Sequence, residues 1–116
     1  MQTTQSAFRA YGVAASRRSP REQEADMFRH VNAALRRARD GGTMIARVRA
    51  LADNDLLWIT IIGLASDPSN RLPPETRAGL VSIGLAVQRE MQRENPDLEF
   101  LLSVNDNLAS GLAAHG

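Results

Sequence analysis

Two stretches of this chain are apolar around most of a helix's circumference: LLWITIIGLA (56–65) and VSIGLAV (81–87). Neither has a polar face wide enough for an ordinary surface helix. Neither reaches the roughly 20 apolar residues that cross a bilayer. Each must therefore touch neighbours on two sides, as the central helices of a bundle do. A strand competes at 56–65, because Trp58, Ile59 and Thr60 favour sheet. It is rejected because the periodicity elsewhere is helical and leaves a lone strand without a partner.

Five helical segments are predicted. The first covers 4–15, with Phe8, Tyr11, Gly12 and Ala15 on one side. The second opens on SPRE. Ser19 is its N-cap, Pro20 takes the first position where its missing N–H costs nothing, and Glu22 closes a capping box. Met27, Phe28, Val31, Ala34, Leu35 and Ala38 then share a face, with Arg29, Arg36 and Arg37 opposite in water. Asp40-Gly41-Gly42 stops the helix. The third segment runs over 43–65, with Met44, Val48, Leu51, Trp58 and Ile62 in line. Asp55 falls inside that stripe, and a buried carboxylate needs a partner. Either it pairs with an arginine, or the helix breaks and restarts at Asp53-Asn54-Asp55, where acidic residues suit an N-terminus. One helix with a bend is the favoured reading.

SDPSNRLPP (66–74) is the clear loop, built from prolines and turn formers. The fourth helix is predicted over 74–95. Leu80, Ile83, Gly84, Val87 and Met91 form one stripe, and Val81 and Leu85 a second beside it. Gly84 lets another backbone come close. The fifth helix starts at Asn95-Pro96-Asp97 and runs to about residue 112. Leu98, Leu101, Leu102, Leu108 and Leu112 share a face with Asn105 inside it. Asn105 reads as a satisfied core amide, with reception of a partner's backbone as the alternative. Phe100 and Val104 point elsewhere.

A length of 116 residues suits one domain. The expected fold is all-α, a small single-domain bundle of about five helices over 1–116. There is no cysteine, so a disulfide framework and cysteine-ligated zinc are excluded. MQTTQSAFRAYG lacks a positive start followed by a long apolar run, so a cytoplasmic, unanchored protein is expected. The net charge of +1 points to neither nucleic acid nor membrane. All 14 basic residues are arginine. Arginine reads phosphate well, but a GC-rich genome also replaces lysine by arginine, and that reading is preferred.

No catalytic set emerges. His30 has Asp26 four residues earlier, an ordinary helix pair, and His115 sits near the chain's end. No metal-ligand spacing exists, and Ser103, Ser110 and Thr60 lack an evident base. Glu90 and Glu94 lie on a solvated face. The expectation is a non-enzymatic protein without cofactor or metal. Arg36, Arg37, Arg39, Arg47 and Arg49 make a modest basic cluster, but acidic residues interleave and no aromatic stacks beside it. An interaction module remains, in which a partner's amphipathic helix completes the bundle.

The chain resembles the flagellar biosynthesis regulator FlaF family. The resemblance covers nearly the whole chain. It rests on AYG (10–12), REQEADMFRHVNAAL (21–35), RALADNDLLW (49–58), DPSNRLPPETRAGLVSIGLAVQREM (67–91) and LLSVNDNLASGLA (101–113). SIGLAVQRE is its most specific block. The resemblance implies a small helical protein of alphaproteobacterial flagellar systems, needed for flagellin production and filament assembly. It implies flagellin as partner, with FlbT, a regulator of flagellin mRNA translation, as a possible second. On this expectation the domain shields a terminal helical segment of flagellin before export. Leu57, Trp58, Ile61, Leu85, Phe100 and Val104 are the expected partner-binding residues. The alternative is post-transcriptional control of flagellin mRNA, directly through the arginine cluster or through FlbT. A third is an export-apparatus adaptor with no affinity for flagellin.

Overall fold

The computed structural model describes the backbone of residues 20–114 and the side chains of residues 26–111. Among these, four helices and no strand occur: α1 (Pro20–Arg39), α2 (Met44–Ser66), α3 (Pro74–Met91) and α4 (Leu98–Ala114). The predicted segment at 4–15 and the Ser19 cap lie outside the described residues. The described bundle therefore has four helices where about five were expected.

α1 packs against both α2 and α4, and α3 packs against α2; α2 and α4 also meet, through Trp58, Asn54 and Asn105. α1 and α4 are antiparallel, since Asn32 meets Asp106 while Arg39, two turns on, meets the earlier Glu99. The inward face of α1 is the predicted one. Phe28, Val31, Leu35 and Ala38 are buried, with Met27 and Ala34 packed at its edges. Arg29, Arg36 and Arg37 are exposed.

The helix ends follow local chemistry. Gly41 turns the chain after α1 with φ +103°, a backbone state that side chains other than glycine's resist. Gly42 follows, and a Cβ there would stand 2.8 Å from the Arg37 carbonyl oxygen. Gly41→Ala is expected to lower unfolding stability by about 1 kcal/mol, readable by urea denaturation. The hydroxyl of Thr43 then accepts the Ala46 N–H at 3.1 Å and caps α2.

α2 is one continuous helix and does not break and restart at Asp53-Asn54-Asp55. Asp55 neither starts a helix nor enters the core; it is half-buried on the side facing α3. The expected inward stripe needs correction. Met44 and Val48 are exposed, and the buried positions are Ala50, Asn54, Leu57, Trp58 and Ala65. The reason is the reach of α3, which runs antiparallel to α2 and ends at Met91, level with Asn54. The first turns of α2 extend beyond it.

After α2, Asp67 organises the loop by accepting the Ser69 N–H and hydroxyl at 2.9 and 2.8 Å. Those donors, the backbone N–H first, hold its carboxyl below the usual value of 3.8. A group lowered on folding contributes stability above its unfolded value and loses it as pH falls through the folded one. Carbon-detected titration should therefore place Asp67 below 3.8, and Ser69→Ala should move it upward.

α3, predicted to run to 95, ends at Met91. Pro96 cannot donate and biases Asn95 away from helix. The Glu90 carboxylate instead accepts the Asp97 N–H at 2.9 Å, and the chain turns. The cap of α4 is Asp97, whose carboxylate accepts the Phe100 N–H at 3.2 Å. Asn95 is engaged by Arg47 at 2.6 Å.

Candidate docking surface

The surfaces of this bundle are set by a buried amide cluster. Asn32 of α1, Asn54 of α2 and Asn105 of α4 are all buried, the last two with no exposed area. The Asn105 amide donates to Asn32 Oδ1 at 3.0 Å and to Asn54 Oδ1 at 2.7 Å. Its carbonyl accepts the Trp58 indole N–H at 2.8 Å. Asn32 passes a further bond to Asp106 at 2.9 Å, and Asn54 donates to the Met91 sulfur at 3.2 Å. Buried polar groups are costly unless paired. Here each asparagine meets another helix, so the bonds fix the register of all four. Of the two readings of Asn105, the structure takes the satisfied core amide.

α3 closes on this cluster at Gly84. A Cβ there would lie 2.6 Å from Ile62 Cγ1 and 3.2 Å from Trp58 Cε3. The absent side chain is what lets α3 seat against the indole. Val87 and Met91 extend the same contact towards the C-terminal end of α3.

With the core fixed, the expected partner-binding residues separate. Leu57 and Trp58 are buried, at 2% and 0% exposure, so they are corrected from docking candidates to core residues. Tryptophan's large area and its one donor are both satisfied inside. Ile61 and Val104 are half-buried at the edge of the core. Phe100 and Leu85 remain exposed, at 38% and 48%. The structure does not bring all four survivors into one patch. Stepping about 100° per residue, Phe100, Val104 and Leu108 share the edge of α4 opposite Asp106 and Glu99. That edge faces away from α1, because Asp106 and Glu99 are the residues that bind it. Leu85 shares the other edge of α3 with Gln88. There, Gln88, Met91 and Gln92 line an open groove of about 470 Å³ with Leu51, Ala52, Asp55 and Ile59 of α2.

The arginine cluster is largely engaged within the chain. Arg36 binds Asp106, Arg39 binds Asp40 and Glu99, and Arg47 binds Asn95 and the Pro96 carbonyl. The hydrogen bond from Arg39 holds the Asp40 carboxyl below its usual range, and Asp40 with Glu99 raises Arg39 in turn. Arg37 and Arg49 remain directed to solvent. Among the described residues, no group of three His, Cys, Asp or Glu side chains could hold a metal ion. No described helix is long and apolar enough to cross a membrane.

A family model described as flagellar protein FlaF matches residues 7–112. The chain belongs to the FlaF family. The match takes in α1, α2 and α3 whole and α4 as far as residue 112, and it reaches back beyond α1. It makes this a flagellum-related protein, as the SIGLAVQRE block and its companions suggested. No curated protein and no solved structure matched the chain. In FlaF terms, the most specific sequence block coincides with the part of α3 that seats Gly84 on Trp58.

The amide cluster is the feature that sequence reasoning missed. Asn105 stood out because it interrupts a leucine stripe. Asn32 and Asn54 carried a similar signal: each sits at helical spacing from buried neighbours, Phe28 and Leu35 for one, Ala50 and Leu57 for the other. A polar amide within such a face signals a partner amide across the core.

Proposed function

We propose that this FlaF-family domain is a non-enzymatic binding protein that takes an apolar helical segment from one terminus of flagellin. The supporting observation is the α4 edge of Phe100, Val104 and Leu108, apolar and incompletely covered, on a domain of a flagellar family. Isolated exposed apolar residues are ordinary, but a stripe at i, i+4, i+8 is the footprint of a helix-in-groove contact. Ile61 adds to it from α2. Trp58 and Asn105 meet at one level, and α2 and α4 run parallel because each is antiparallel to α1. One turn further on, Ile61 and Leu108 again share a level. The contact would cover a flagellin stripe that otherwise self-associates in the cytoplasm before export.

The test is a titration of the full chain with flagellin and with flagellins truncated at either terminus, at low and physiological salt. The expected result is binding that hardly changes with salt and is lost with one truncation. Val104→Asp places a charge in the contact and should weaken binding about thirtyfold or more, with the helical circular dichroism unchanged. Binding that falls steeply with salt would point to phosphate contact instead. Absence of binding to every flagellin form would sink the proposal.

A further inference from the structure

The groove between α2 and α3 holds a carboxylate without a partner. Asp55 is half-buried, and among the described residues nothing hydrogen-bonds or ion-pairs its side chain. Asp26 and Glu90, also half-buried, are each bound by an arginine. Asp53 is unbound too, but it lies outside the groove. No cation lines the groove. A carboxylate partly withdrawn from water is costly unless it is paired.

The residues around Asp55 say what would pair it. Along α2 the groove reads Leu51, Asp55, Ile59, one residue per turn: apolar, acidic, apolar. α3 runs antiparallel, with Met91 level with Asn54 and Gly84 level with Ile62. Gln88 and Gln92 therefore flank Asp55 from across the groove, one turn apart. Their side-chain carbonyls add acceptors to those of the carboxylate. That set suits a guanidinium, which spreads five N–H donors in a plane and is weakly hydrated among apolar walls. Met91 also lines the groove, and methionine adapts its shape to apolar side chains laid on it. The groove, of about 470 Å³, is open, whereas a small-molecule site buries most of its ligand. A cleft between two helices takes a third helix instead.

We infer that this groove docks an amphipathic helix of another protein, one that sets a single arginine between two apolar residues at four-residue spacing, with the arginine on Asp55. The apolar residues lie on Leu51 and Ile59, and the charge fixes the register. No groove residue belongs to α4, so the inference does not rest on the flagellin reading.

The probe is an alanine-based helical peptide carrying leucine, arginine and leucine at four-residue spacing, titrated into the full chain and followed by amide NMR. The expected shifts fall at Leu51, Asp55, Gln88 and Gln92. The peptide should bind about tenfold more tightly than its counterpart with citrulline for arginine, which keeps the shape and loses the charge. Asp55→Leu should erase that preference. It should also raise the urea midpoint of the free chain, because it replaces an unpaired acid by a better helix former. A residue kept for stability would lower it, and that outcome overturns the inference. So does absence of binding at about 1 mM peptide, equal binding of the arginine and citrulline peptides, or shifts that gather at Phe100 and Val104 instead. Self-association of the full chain that Asp55→Leu abolishes would make the occupant a second copy and overturn it as well.

Discussion

Asn105→Ala is expected to lower unfolding stability by about 3–4 kcal/mol, among the largest effects of any single truncation in this chain. The substitution removes one amide and orphans three groups: the Trp58 indole N–H and the side-chain carbonyls of Asn32 and Asn54. All three residues are buried, at 3% exposure or less. A buried group left unpaired costs about 1–3 kcal/mol, and the hole adds a cavity term. Relaxation around the smaller side chain returns part of that, which brings the sum to the value given. Urea unfolding followed by Trp58 fluorescence measures it. A loss below about 1 kcal/mol would mean that water replaces the amide. Asn54→Leu and Asn105→Leu together should cost less than their separate losses added, because the second removes a group the first had already orphaned.

Gly84→Leu comes next, at about 3 kcal/mol. Its Cβ alone stands 2.6 Å from Ile62 Cγ1 and 3.2 Å from the Trp58 ring. Ile62 is half-buried and can swing its end aside. Trp58 cannot, because Asn105 holds its indole N–H. A leucine must therefore push α3 off α2 and break the Asn54–Met91 contact with it. Gly84→Ala should be milder, since about 1 kcal/mol of helix propensity offsets part of the clash. Gly79 is the control. Nothing stands within 4 Å of a Cβ there, so Gly79→Ala should stabilise. Thermal unfolding of the three variants gives the order Gly79→Ala, Gly84→Ala, Gly84→Leu from most to least stable. A Gly84→Leu protein as stable as its parent would show that α3 is not seated on the indole.

Much of the architecture was legible in local chemistry. The inward face of α1 follows from a one-sided 3.6 period, and its stop from Gly41-Gly42. The Gly84 contact was signalled by a glycine inside an apolar stripe. The docking residues were legible only in part. Leu57 and Trp58 lie in the same apolar stretch as Ile59 and Leu64, yet two are core and two are exposed. The end of α3 was misjudged because Gln92, Arg93 and Glu94 are good helix formers by themselves. It was Pro96 and the grip of Glu90 on the Asp97 N–H that ended it.

Sequence alone determined where helices form and what kind of domain they make, because capping, breaking and periodicity act within a few residues of each other. It also determined the family, through blocks such as SIGLAVQRE. Only the tertiary structure decided which side of α2 and α3 is covered. A helix apolar on all sides has no polar face to orient it, so its buried side is chosen by its neighbours. Here α1, α4 and α3 cover the Asn54–Trp58 side, and the amide bonds lock that choice. The side of Ile45, Val48 and Ile59 is left at least half exposed, with the same greasy chemistry.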